Sequence, residues 1–176
     1  MITNKSKIYP LVVKRGRLSS KKGPVLSLIN DLEIVFEYQG DETTSELIKH
    51  KVMEGDYDIY QLYNAACENI VRDVEFVIAN TMYGAFAIIA DGIHEASALC
   101  FKSIWITCIE KLKDDLIIMV PSADTILFAP ASQTEVVTKM IEHGVAAYNG
   151  SSDKISKELF IFLQKERELK VYEAQN

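Results

Sequence analysis

Between positions 85 and 129 the chain reads Ala85-Phe-Ala-Ile-Ile-Ala90, Asp91-Gly-Ile-His94-Glu-Ala-Ser97, an apolar stretch to Leu112, and Leu116-Ile-Ile-Met-Val-Pro121-Ser-Ala-Asp124-Thr-Ile-Leu-Phe-Ala129. Ala85 to Ala90 contains no polar residue, which predicts a central strand with both faces covered. Asp91 suits the N-cap of a helix over about 93–112, because its carboxylate can accept the first free backbone N–H groups. From Glu95 to Glu110 the only charge between is Lys102, while Leu99, Phe101, Ile104, Trp105, Ile106 and Ile109 surround the cylinder. A helix apolar on all sides is a buried one. Lys111 and Lys113 complement its C-terminal dipole. Leu116 to Val120 predicts a further buried strand stopped by Pro121, and Thr125 to Ala129 its continuation through a bend or a strand of its own.

Outward from this centre the patterns alternate between strand and helix. Ile8 to Val13 predicts an edge strand, since Pro10 cannot donate to a ladder. Lys14 to Pro24 reads as a basic loop, and Leu32, Ile34, Phe36 and Tyr38 alternate as in a half-buried strand that ends at Gly40-Asp41. Thr44 or Ser45 opens a short helix to about Met53. Asp56 opens a second, whose Ile59, Leu62, Tyr63, Ala66 and Ile70 form one apolar face with Asn69 and Arg72 near its end. Val74–Ala79 and Ala85–Ala90 form a hairpin through Asn80 to Gly84. Ser132-Gln-Thr-Glu135 has the spacing of a capping box for a helix stopping near Gly144. Ser151 or Ser152 begins a helix to about Gln164, and Glu168 to Glu173 an edge strand. The expected fold is α+β: one domain over 1–176, a mostly antiparallel sheet packed around a buried central helix of about 93–112, with disorder confined to 1–6 and 174–176.

Composition agrees with a globular domain, at 176 residues, 48% hydrophobic and 25% charged. The N-terminus lacks the apolar core of a signal peptide, and Ala85–Ala90 is far short of the ~20 residues of a membrane span, so a cytoplasmic protein is expected. Cys100 and Cys108 lie eight residues apart on a predicted helix, about 12 Å at ~1.5 Å per residue. That exceeds disulfide reach, and no CxxC suggests zinc, so all three cysteines read as reduced thiols. The net charge of −6 is uneven: residues 1–30 hold seven Lys/Arg and no acid, whereas 31–58 hold nine acids against Lys49 and Lys51. Such neighbouring segments either pair with each other or form separate faces.

Motifs of catalysis and binding fall short of their chemistry. Asp91, His94 and Ser97 resemble a hydrolytic triad, but no Gly-x-Ser-x-Gly elbow surrounds Ser97, and Asp91 is needed as a cap. His94-Glu95 begins a zincin motif that fails at Ala98, and His50 and His143 are isolated. Asp56-Tyr-Asp58 opens like a calcium loop without the glycine and distal glutamate it needs. Gly84, Gly92 and Gly144 make no phosphate cradle. Trp105 and Phe101 read as core rather than pocket lining. No metal and no cofactor is expected.

Residues 7 to 173 resemble the YtpQ-like family of uncharacterised bacterial proteins. The resemblance rests on Ile8-Tyr9-Pro10, the strand Leu32 to Tyr38, Tyr63-Asn-Ala-Ala-Cys-Glu-Asn69-Ile70, Asp91-Gly92 with Glu95-Ala96-Ser97, and Leu116 to Pro121 followed by Asp124 to Ala129. Family members carry a region ahead of the Ile-Tyr-Pro strand that this sequence lacks. The resemblance implies the fold and supplies no activity; Asp91, Ser97, Pro121 and Asp124 suit caps and turns.

The functional expectation is therefore a non-enzymatic protein-binding domain, such as an acidic immunity protein that neutralises a basic toxin. Glu33, Glu37, Asp41, Glu42, Glu46, Glu54, Asp56 and Asp58 would face the partner. One alternative is a small-molecule binder or hydrolase-like enzyme with a site near Asp91, Ser97 and Asp124. Another is nucleic-acid binding through Lys14, Arg15, Arg17, Lys21 and Lys22, although that loop lacks interleaved aromatics.

Overall fold

The computed structural model describes residues 7–17, 23–39, 50–52, 54–56 and 58–173. The chain divides into two compact units, Met1–Glu75 and Phe76–Asn176, and the class is α+β with antiparallel pairing in both sheets. The expected disorder at 1–6 and 174–176, and most of the short helix at 44–53, lie outside the described residues.

In the first unit, β1 (Ile8–Lys14), β3 (Leu32–Tyr38) and β2 (Leu26–Ile29) form a sheet in the order β1-β3-β2. Pro10 lies on the edge strand, where its missing N–H costs no ladder bond on the outer side. Strand β2 had no sequence expectation. It turns into β3 through Asn30, whose φ of 48° lies in the left-handed region that asparagine tolerates. The first described full helix, α1 (Ile59–Asp73), starts from Asp58 rather than Asp56: Asp58 has extended backbone, and its carboxylate accepts Tyr60 N–H at 3.1 Å. Leu62 and Ala66 of its predicted apolar face pack on Ile8, and the buried Asn69 donates to the Ile8 carbonyl at 3.2 Å.

The second unit has a six-stranded sheet in the order β4-β5-β7-β6-β8-β9. Its strands are β4 (Val77–Asn80), β5 (Phe86–Ile89), β6 (Leu116–Ser122), β7 (Thr125–Pro130), β8 (Leu159–Leu163) and β9 (Glu168–Val171). Every residue of β6 is buried, as the apolar run Leu116–Val120 predicts, but the strand does not stop at Pro121 and runs on to Ser122, which pairs with Thr125. On one face Ile117, Met119, Leu127 and Ala129 pack with Met140 of α3 (Thr134–Gly150). On the other, Phe128 and Trp105 from α2 (Lys102–Leu112) meet in a T-shaped pair, with ring centroids 5.5 Å apart.

Five local expectations are corrected. The helix of 93–112 is divided: Glu95–Cys100 is a 3-10 segment, Phe101 breaks it at φ −100° and ψ 89°, and the α-helix starts at Lys102. The cause is tertiary, since Ala96 N–H donates to the Ala123 carbonyl on the β6–β7 turn at 3.0 Å. α2 also keeps Lys102, Ser103, Thr107, Glu110 and Lys111 exposed, so it is buried on one side only. The capping box does not form. Asp114 Oδ2 takes both the hydroxyl and the N–H of Ser132, and Gln133 precedes α3 without a side-chain cap. α3 then runs through Gly144 to Gly150. Finally, the helix expected over 151–164 is extended chain: Ile155 and Ser156 N–H groups donate to the Pro121 and Val120 carbonyls, and β8 pairs with β6. Leu159-Phe-Ile-Phe-Leu163 suits a strand, and the unpaired side of β6 needed a ladder partner.

Candidate functional site

Three groups of residues bear on function. The first is the turn into the 3-10 segment. Asp91 Oδ1 accepts Ile93 and His94 N–H groups at 3.0 and 2.9 Å, and Oδ2 lies 2.6 Å from His94 Nδ1. Asp91 is thus the cap its position predicts, and its hydrogen bonds to His94 hold the carboxyl below the usual range against the opposing effect of burial. Glu95 is 4% exposed; its Oε1 accepts Ala90 and Gly92 N–H groups at 3.0 and 2.7 Å. Ser97 is 1% exposed. Asp124 accepts from the Ser122 and Thr125 hydroxyls across the β6–β7 turn. Fold therefore joins the Asp91–Ser97 segment to the Asp124 turn through Ala96 N–H, but each acid holds local donors and the serine is enclosed.

The second group is the charged N-terminal third. Arg15 lies 3.4 Å from Glu33 and Lys14 3.8 Å from Asp31, while Arg15 also donates to the Asn30 carbonyl. The basic and acidic segments pair with each other at this end, so Lys14, Arg15 and Glu33 are partners rather than separate faces. Glu54 pairs with His50 at 2.9 Å, Asp58 caps α1, and Glu37 accepts from Gln39. Asp56 is exposed, and Arg17 forms part of the turn after β1 through its N–H to the Lys14 carbonyl. Lys21, Lys22, Asp41, Glu42 and Glu46 lie outside the described residues. Nearby, Arg72 donates two hydrogen bonds to Asp73, which also accepts the Tyr9 hydroxyl at 2.8 Å.

The third group was not singled out in the sequence. Val77 and Ile89 are cross-strand partners on the β4–β5 hairpin, 48% and 51% exposed, on the same sheet face as Ala87 and Leu127. Ile78 is 44% exposed on the opposite face, and Ile93, just beyond β5, is 51% exposed. The expected central position of β5 holds, but the end of the strand is uncovered. The signal available in sequence was Val77-Ile78 beside Ile88-Ile89, which periodicity alone reads as buried sheet.

Fold and side chains together define an α+β protein with antiparallel sheets, an internally braced turn at Asp91 and an uncovered apolar hairpin. No family model, curated protein or solved structure matches the chain. Among the described residues no helix is long and apolar enough to cross a membrane, and no cluster of three or more His, Cys, Asp or Glu side chains is arranged to hold a metal ion.

Proposed function

We propose that this chain is a non-enzymatic protein-binding domain whose partner is a basic protein and whose contact surface is the β4–β5 hairpin. The observation that carries this reading is the group Val77, Ile78, Ile89 and Ile93, each about half exposed in a unit whose β6 is wholly buried. Covering the exposed half of one such side chain is worth about 1 kcal/mol, so a partner covering Val77 and Ile89 on their shared face gains about 2, and one that also reaches round the β4 edge to Ile78 gains more. The chain's net charge of −6 favours a basic partner and steers its approach. An immunity protein that neutralises a basic toxin is one specific case of this reading. Kinship with the YtpQ-like proteins is a separate proposal and adds no activity.

The test places a photo-cross-linking residue at position 78 of the full chain in its own cells, with position 71 on α1 as the control site. A basic protein captured from position 78 and not from 71 is expected. Once purified, it should bind the wild-type chain at least tenfold tighter than Ile89→Glu, and more weakly as salt rises. Equal capture at both sites, or binding unchanged in Ile89→Glu, would exclude the hairpin as the surface.

A further inference from the structure

Among the described residues four strands end the two sheets, and three of them carry features that discourage another strand from adding. β1 holds Pro10, β2 is interrupted by a bulge between Ser27 and Ile29, and β9 carries Glu168 and Lys170, which pair at 3.8 Å. Proline, bulges and edge charges are the usual means of blocking edge-to-edge association. β4 has none of them. Val77-Ile-Ala-Asn80 contains no charge and no proline, and it pairs with β5 in unbroken register.

Resting on the protein-binding reading above, we infer that β4 receives its partner by strand addition, the incoming segment being an extended run of apolar residues alternating with Lys or Arg. An edge strand offers backbone N–H and C=O groups that only another extended backbone can match in series. Val77 and Ile78 point to opposite faces and are both about half exposed, so the single apolar face of an added alternating strand would find an apolar neighbour whichever side it lies on. Charge selects between occupants. A second copy would bring another −6 to the contact, whereas a basic segment meets an acidic chain. Asp91, two residues beyond Ile89 and with its side chain 38% exposed, supplies carboxylate charge at that end of the hairpin.

The experiment uses the full chain and three synthetic peptides: one alternating Val with Lys, one with Glu in place of Lys, and the Val/Lys peptide N-methylated at alternate amides. The Val/Lys peptide should bind saturably and slow amide exchange over Val77–Asn80. Affinity should fall at least tenfold on N-methylation, on exchange of Lys for Glu, and in the Ile78→Lys variant. Ile78→Thr, a milder change, checks that any loss is not unfolding. Binding that survives N-methylation, or no protection of β4, overturns strand addition. A dimer in sedimentation that Ile78→Lys dissociates would make a second copy the occupant and overturn the basic segment. Should position 78 still capture a protein that depends on Ile89 while these results fail, the docking surface stands and only the strand mode falls.

Discussion

Gly144 of α3 lies directly on Met119 of β6, so that a Cβ at position 144 would meet the Met119 thioether well inside van der Waals contact. The absent side chain is what lets the helix sit this close to the sheet. Both residues are buried, which leaves the methionine little room to move.

Gly144→Ala should therefore destabilise the protein, although alanine favours a helix by ~1 kcal/mol over glycine. Overpacking of this kind costs about 1–3 kcal/mol, leaving a net loss of about 1 kcal/mol in urea unfolding. Shortening the neighbour in Met119→Val/Gly144→Ala should recover part of it, and a double-mutant cycle should give a coupling on the order of 1 kcal/mol. Additive effects would count against the close approach.

The Tyr9–Asp73 hydrogen bond predicts a tyrosine that ionises late. Burial, reinforced by the Asp73 carboxylate, pushes the Tyr9 hydroxyl up to about 12. Because the folded value lies above the ordinary ~10, this group's contribution to stability is complete below pH ~10 and is lost as pH rises through about 12. Subtracting the alkaline absorbance titration of Tyr9→Phe from that of the wild type should isolate one transition near pH 12. A difference transition near pH 10 would exclude the contact.

The same contact has an acid limb. Hydrogen bonds from Arg72 first and Tyr9 second hold Asp73 down at about 2. Its contribution is complete above the ordinary value of ~3.9 and is lost as pH falls through about 2. Asp73→Asn should accordingly show a shallower fall in stability between pH 4 and 2 than the wild type, measured by chemical unfolding at each pH.

Glu95 tests the reading of the Asp91 turn as structure. Its Oε1 accepts the Ala90 and Gly92 N–H groups from a side chain that is itself buried, and removing a buried acceptor from its donors costs about 1–3 kcal/mol. Glu95→Ala should lower stability by about 2 kcal/mol in thermal or urea unfolding. Glu95→Gln, which keeps one acceptor oxygen, should lose less.

Cys108 should be chemically silent in the native protein, because burial pushes its thiol up to about 11. Titration with a thiol reagent should modify Cys108 only in step with unfolding, which peptide mapping can assign. Rapid native labelling there would contradict the packing of α2.

Much of the architecture was legible as pattern. The uninterrupted apolar runs at Leu116–Val120 and Thr125–Ala129, the alternation of Leu32 to Tyr38, and Pro10 on an edge each reflect a local periodicity or a missing donor, and each appears in the fold. What failed were elements whose outcome depended on a distant backbone. Ser132 gave its hydroxyl to Asp114, eighteen residues earlier in the chain, instead of to its own helix. Residues 155 and 156 were drawn into extended chain by carbonyls of Val120 and Pro121. Candidate sites divided in the same way: the capping role of Asp91 could be read from its position, but the pairing of Arg15 with Glu33 required β1 to pair with β3.

By itself, then, the sequence determined the α+β class and its buried strands, because hydrophobic periodicity records which face of each element must leave water. Tertiary structure alone decided where the 3-10 segment replaces helix, which strand continues the sheet after α3, and that β4 ends it uncovered. Those outcomes turn on which backbone donors and acceptors find partners far away in sequence, and an edge is defined only once every other strand has been placed.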